Sequence, residues 1–133
     1  MFSHIFVGVN HFDRALAFYN AVMASLGFEQ RFCEPTVPWA GWHSEGGARP
    51  FFVIGKPSDG HSHQPGNGQM VAFAASDRGM VRVVHNTALA AGGRCEGPPG
   101  VRPQYHRDYF GAYFRDPEGN KLCVACHRPE HDE

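Results

Sequence analysis

No run of the chain approaches the roughly 18 consecutive apolar residues of a membrane span. Its first residues carry no basic stretch followed by an apolar one, so neither a transmembrane helix nor a secretory signal is expected. Lysine is scarce, with Lys56 and Lys121 set against ten arginines. Charge of either sign is also limited: 19% of the 133 residues are charged and the formal net charge is -1. That balance gives no electrostatic footprint for a phosphate backbone or an anionic lipid surface, so nucleic acid and membrane are not expected partners. Cysteine is confined to Cys33, Cys95, Cys123 and Cys126. Without a secretory signal these thiols are expected to be reduced and the protein cytoplasmic.

What is present is an ordinary globular composition, 42% apolar and 13% aromatic, which excludes disordered, collagenous and coiled-coil classes. A chain of this size buries roughly two thirds of its unfolded surface, enough for one core without covalent staples. The arginines offer forked recognition of carboxylates. The nine histidines exceed what a domain this size needs; most are expected in loops, the rest being candidates for bases or ligands.

Residues 3–9 alternate Ile5, Val7 and Val9 with His4, Phe6 and Gly8, the period of a strand with two unlike faces. Asn10, with Asp13 three residues on, is expected to cap a helix whose positions Phe12, Leu16, Tyr19, Met23 and Leu26 recur at helical spacing and which Gly27 ends. Pro35 and Pro38 break residues 28–42 into an irregular strand and turn suited to an edge, and 51–54 read as a short strand. The segment KPSDGHSHQPGNG, residues 56–68, has no periodic apolar position and reads as a loop joining two halves. The pattern then restarts with a strand at 70–75, a cap at Ser76 or Asp77, a helix over 80–91 and a stop at Gly92 and Gly93. His4 to Gly27 spans 23 positions and Met70 to Gly92 spans 22, as in a duplicated strand and helix unit. A short extended piece at 94–96, a Pro and Gly corner at 97–100, strands at 109–115 and 121–127 and a turn at 116–120 complete the second half.

The fold expected is α+β, a single domain over 1–133 built of two βαβββ modules at 1–57 and 69–127, with a connecting loop at 58–68 and a polar tail at 128–133. Each module has one main helix and a curved mixed sheet. One helix covers one face of its sheet, so Ile5, Val7 and Val9, and likewise Val71, Phe73 and Ala75, are assigned to the helix side. By parity His4, Phe6, Gly8, Met70, Ala72 and Ala74 are assigned to a cleft between the two sheets, where the small residues leave room for a ligand.

The segments HIFVGVNHFDRALAFYNAVMASLGF, MVAFAASD and YFRDPEGNKLCV resemble the vicinal oxygen chelate superfamily, which contains glyoxalase I, bleomycin resistance proteins and extradiol dioxygenases. The resemblance covers nearly the whole chain. It is most specific at Phe18 and Tyr19 in the first helix and at Asp116, Pro117, Gly119 and Asn120 in the last turn. It implies paired βαβββ modules around a cavity in which family enzymes hold a divalent metal. Of the family's ligand positions, His4 matches the first. Met70 stands where the third usually has His, Cys123 where the fourth usually has Glu, and no carboxylate stands in 51–54 for the second. Thioether is a poor partner for a hard or borderline divalent ion, and a His, Met and Cys set suits a soft ion such as Cu(I) better. A degraded metal site is therefore expected, with His4 and Cys123 as the metal candidates and Met70 packing a cavity wall. A divalent metal is the one cofactor the resemblance suggests.

Cys123 and Cys126 form a CxxC, but in a strand residues three apart face opposite sides, so both sulfurs cannot grip one ion. By the same parity Cys123, Ala125 and His127 share the cleft face. His61 and His63 read as a solvated loop tip. His11, His43, His85 and His131 carry no spacing signal. RPQYHRDYF, residues 102–110, is the densest chemical stretch, read either as a polar edge strand or as a pocket wall: Arg102 and Arg107 fork a carboxylate, Tyr105 and Tyr109 offer hydroxyls on apolar rings, and His106 is a general base. Trp39 and Trp42 are expected to close the other side.

His4, His106 and Cys123 are thus the catalytic candidates, and Phe6, Met70, Arg102, Tyr105, Tyr109 and His127 the substrate contacts. The resemblance implies a glyoxalase-like lyase or isomerase, of lactoylglutathione-lyase type, acting on a small carbonyl or thioether adduct with His4 or His106 as base. The alternative is a metal-independent protein that sequesters a planar or acidic small molecule, in the manner of bleomycin resistance proteins. A homodimer is expected, its modules paired within one chain or between two.

Overall fold

Among residues 1–130, which a computed structural model describes, strands and helices follow one another twice in the same order. His131 and the rest of the polar tail lie outside the described residues. The first module comprises β1 (His4–Gly8), α1 (Phe12–Leu26), β2 (Gln30–Glu34), β3 (Trp39–Trp42) and β4 (Phe51–Gly55). The second comprises β5 (Val71–Ala74), α2 (Arg78–Ala90), β6 (Arg94–Val101), β7 (Phe110–Arg115) and β8 (Lys121–Cys126). Each contributes a four-stranded mixed sheet, ordered β1-β4-β3-β2 in the first and β5-β8-β7-β6 in the second. The opening strand runs parallel to the closing one in both, because the helix between them forms the crossover.

Alternation along the strands divides each sheet as expected. Ile5, Val7, Phe52, Ile54, Ala40 and Trp42 turn inward in the first sheet, and Phe73, Leu122, Val124, Cys126, Phe110, Ala112 and Phe114 in the second. All belong to, or pack on, one hydrophobic cluster that spans both modules. α1 lies against α2, and the rings of Phe52 and Phe73 meet edge to face at 5.2 Å. Each large side chain so buried contributes about 1.5–3 kcal/mol. The opposite faces, carrying His4, Phe6 and Gly8 on one sheet and Ala72, Tyr113, Cys123 and Ala125 on the other, are turned away from that shared core.

Several local expectations are corrected. Asn10 does not cap α1: His11 holds the cap position without a side-chain bond, and its N–H is met by Glu118 Oε2 at 2.8 Å, from the turn before β8. A carboxylate suits the positive end of a helix, and its arrival from the other module leaves Asn10 free for the connecting loop. There Asn10 Oδ1 accepts from the His63 N–H at 2.7 Å and Nδ2 donates to the His63 carbonyl at 3.0 Å. Asp77 does cap α2, accepting from Met80 N–H at 2.7 Å. Residues 28–42 make two antiparallel strands joined by the proline turn, with β2 at the edge. The Pro and Gly segment at 97–100 is no corner. β6 runs through it as an edge strand that takes up the irregularity in two register shifts, since an edge tolerates missing donors. Trp42 is core, 2% exposed, and borders an apolar hollow that Met70, Ala72 and Ala74 also line; Trp39, on the other face, packs edge-on against Phe32 at 5.0 Å.

The last turn is a junction. Asp116 is buried, and its carboxylate accepts from the backbone N–H groups of Glu118 and Asn120, from Asn120 Nδ2 at 2.8 Å and from the Tyr19 hydroxyl. A buried charge persists only with such a donor set. Asn120 Nδ2 also donates to the Gly8 carbonyl at 3.1 Å, so one turn ties α1 and β1 to β8.

Candidate functional site

Cross-strand register builds the outward face of the second sheet. Tyr113 on β7 lies opposite Cys123 on β8, and Gly111 opposite Ala125, with Ala72 of β5 on the far side of Cys123. Residues 102–109 form turns that link β6 to β7 and are neither an edge strand nor part of the sheet. They fold back over this face. Gly111 makes the fold-back feasible, because a Cβ there would stand 2.8 Å from the Tyr109 ring. The Tyr109 hydroxyl accordingly reaches the Tyr113 hydroxyl at 2.9 Å and the Cys123 sulfur at 3.5 Å.

Around Tyr109 the aromatic rings converge. Tyr105 lies 5.0 Å from it, His127 5.2 Å and His106 5.7 Å, centroid to centroid. His106 Nδ1 accepts the Asp108 N–H at 3.1 Å, so the ring carries its proton on Nε2 and donates it to His127 Nδ1 at 2.9 Å. With Nδ1 accepting, His127 presents Nε2–H as its own donor. The Arg102 guanidinium lies over the Tyr113 ring at 5.5 Å and donates to the Pro98 carbonyl at 2.7 Å; the Lys121 ammonium approaches the same ring at 5.9 Å. Arg107 points elsewhere, fully in solvent beside Asp108.

Electrostatically the floor of this cluster is neutral. Burial pushes the Tyr109 phenol well above its usual range, aided by its bonds to Tyr113 and Cys123, and burial likewise raises Tyr113. Burial raises the Cys123 thiol too, outweighing the hydroxyls and the Arg102 and Lys121 charges that pull it down. The floor therefore consists of two hydroxyls and a thiol, all protonated, beneath aromatic walls.

A second concavity, of about 210 Å³, lies at the seam of the two modules and is lined by Phe6, Gly8, His63, Gln69, Met70 and Asn120 among others. Lys121 lines it as well and so connects it with the Tyr113 side of the cluster. The sequence neighbours of His61 and His63 suit a solvated tip, and His61 is exposed. His63 instead is half-buried, bonded through Nε2 to Asn120 Oδ1 at 2.7 Å and seated on Gly8. Its sequence signal was hidden because its partners, Asn10 and Asn120, come from distant elements. Tyr113 was also missed; its position opposite Cys123 follows only from the β7–β8 register.

Of the residues singled out from sequence, then, Arg102, Tyr105, His106, Tyr109, Cys123 and His127 come together on one sheet face. Phe6 and Met70 share the seam cavity. His4 joins neither: it is exposed at the start of β1, bonded through Nδ1 to Ser3 Oγ at 2.9 Å.

The family model described as Glyoxalase/Bleomycin resistance protein/Dioxygenase superfamily matches residues 1–124. The chain belongs to that superfamily. A glyoxalase/bleomycin resistance protein from Albidiferax ferrireducens T118 is 35% identical, with 97% of this chain and 99% of that one covered and a TM-score of 0.83. A glyoxalase-related enzyme from Fulvimarina pelagi (18% identity, 95% and 87% covered, TM-score 0.72) shares the fold. So does the genomically encoded fosfomycin resistance protein of Listeria monocytogenes (17% identity, 96% and 93% covered, TM-score 0.69). None of the curated proteins compared with the chain matches it.

The divalent metal of superfamily enzymes does not fit the residues this chain puts at the family's positions. His4 is a lone imidazole at an exposed strand end, Met70 offers a thioether, and Cys123 is fully buried with its sulfur 3.5 Å from the Tyr109 hydroxyl. Among the described residues no three His, Cys, Asp or Glu side chains converge.

Proposed function

We propose that this superfamily member binds a planar small molecule without a metal, seated on the outward face of the second sheet. The observation that carries the reading is the convergence of Tyr105, Tyr109, His106 and His127 over a neutral floor with Arg102 at its side. Aromatic rings supply flat apolar contact, and a few fixed donors orient the ligand. A carboxylate on the ligand meets the Arg102 fork and the His127 Nε2–H, while Tyr105, 62% exposed, closes over the flat part. Cys123 serves as a hydrogen-bonding floor group. In this reading a second copy supplies the facing wall, because the faces bearing Phe6 and Cys123 both turn away from the shared core; Phe6, Met70 and His4 enter from that side.

Calorimetric titration with planar aromatic carboxylates tests this. Binding is expected to be unchanged by EDTA and weakened about tenfold or more in Arg102→Ala and in Tyr105→Ala. Affinity that disappears with EDTA, or that stays at the wild-type value in both variants, overturns it.

A second reading, a glyoxalase-like lyase or isomerase, is favoured by one observation, the His106–His127 pair, whose hydrogen bond would let one imidazole relay a proton to the other. Turnover of the hemithioacetal of methylglyoxal and glutathione that is lost in His106→Gln would select it.

A further inference from the structure

One pair of reactive side chains lies outside the cluster and is unused by the proposed function. Of the four free cysteines Cys95 is the exposed one; Cys33 is half-buried, and Cys123 and Cys126 are buried. Cys95 sits on the edge strand β6, immediately before a register shift, and faces α2. Its sulfur lies 3.2 Å from Nε2 of His85, a residue only 7% exposed whose ring is held edge-on to Phe114 at 6.3 Å. The imidazole is thus pinned between an aromatic wall and the thiol. Burial lowers its pKa, so it stands as a neutral base at neutral pH. The charged groups around it are engaged with other partners. Arg94 and Glu96 on β6 pair with each other at 3.9 Å, Arg115 of β7 also takes Glu96, and Arg82 of α2 lies over the Phe110 ring at 4.8 Å. Phe114, opposite Cys95 on β7, is apolar.

We propose that Cys95 and His85 form a nucleophilic dyad that captures soft electrophiles, specifically α,β-unsaturated carbonyl compounds, by conjugate addition. The Cys95 sulfur bonds to the β-carbon as its proton passes to His85 Nε2. The same proton is then delivered to the α-carbon as the enolate collapses. One C=C π bond and the S–H bond are broken, one C–S and one C–H bond are formed, and nothing else is consumed or released. The site lies on the α2 side of the second sheet, opposite the face that Tyr109 covers, so capture does not require the cluster to be occupied.

The test is site-resolved labelling of the native protein with acrylamide, read by peptide mass spectrometry, with Cys33 as internal reference. Cys95 is expected to react at least about tenfold faster than Cys33 at pH 7, and His85→Gln to remove that advantage while leaving the Cys33 rate unchanged. Equal rates, or an undiminished rate in His85→Gln, overturn the proposal. Should that variant unfold, Cys123 and Cys126 become labelled, and the wild-type pH dependence decides instead. Between pH 7.5 and 6.5 a thiolate-limited cysteine slows about tenfold. Cys95, with its proton taken by a base already neutral, is expected to slow less, and a parallel fall of both overturns the dyad.

Discussion

Tyr19 and Asp116 stand 97 residues apart in sequence and share one buried hydrogen bond. Burial, then the Asp116 charge, pushes the Tyr19 phenol far above its usual range, so it is a neutral donor at every working pH. Tyr19→Phe keeps the ring in its place against Trp42 and Phe52 but withdraws one of the carboxylate's donors. A hydrogen bond to a charged, buried partner is worth about 1.5–3 kcal/mol. Urea unfolding of the variant is expected to show a loss of that order through a lower midpoint at unchanged slope. An unchanged midpoint would mean that the other donors of Asp116 suffice. Tyr19 of the first helix and the Asp-Pro turn, both among the pieces most specific to the superfamily, are therefore two halves of one contact.

Among the elements, α1 depends for its N-terminus on Glu118, whose side chain is 2% exposed. Burial raises that carboxyl's pKa, but the backbone N–H groups of His11 and Asn10 and the Arg14 charge together outweigh it, and the net shift is downward. A folded-state pKa below the unfolded one gives stability that is present above the unfolded value of about 4.3 and is lost as pH falls through the lowered one. Glu118→Gln retains an acceptor and drops the charge. The variant is expected to be about 0.5–1 kcal/mol less stable than the wild type at pH 7, with the gap closing below about pH 4. Thermal melts across pH check this, and a gap that persists in acid would contradict it. The connecting loop obeys a different constraint. A Cβ at Gly8 would run into the His63 ring, which Asn120 and, through the backbone, Asn10 hold in place. Gly8→Ala is expected to speed hydrogen exchange across residues 56–69 while α2 keeps its protection.

At the scale of the whole molecule, β1 and β5 each end their sheet with an edge left unpaired among the described residues, and Phe6 and Met70 are 47% and 43% exposed beside them. Such edges and apolar side chains are seldom left open. In the proposed homodimer they are covered by a second copy, so light scattering is expected to give twice 14.7 kDa, and Phe6→Asp to shift the population toward monomer. A wild-type monomer that still binds ligand at full affinity would remove the facing wall from the proposed function. Among the described residues no helix is long and apolar enough to cross a membrane.

Much of the architecture was legible because it rests on local periods. Alternation identified the inward faces of β1, β5 and β8, helical spacing and Gly27 bounded α1, and the repeated strand and helix unit announced two modules. The stretch 102–109 stood out by its chemistry, since Arg, Tyr and His at such density are evident without a structure. What sequence could not decide was where long-range partners come from. Asn10 is an adequate cap by itself, and it lost that role to a carboxylate 107 positions away from His11. Trp42 and Trp39 look alike in sequence, and only the β3–β4 register separates the core ring from the outward one. His4, Met70 and Cys123 align with the superfamily's ligand positions in one dimension, yet within a single chain they occupy three different environments. Local periods carry the two helices, β1, β5, β7 and β8 and their buried faces, because those follow from interactions spanning a few residues, whereas the Pro and Gly stretch of β6 has no such period. The tertiary structure decided which side chains meet, because closing a gap of a hundred residues depends on how the two modules pack, and no local pattern encodes that.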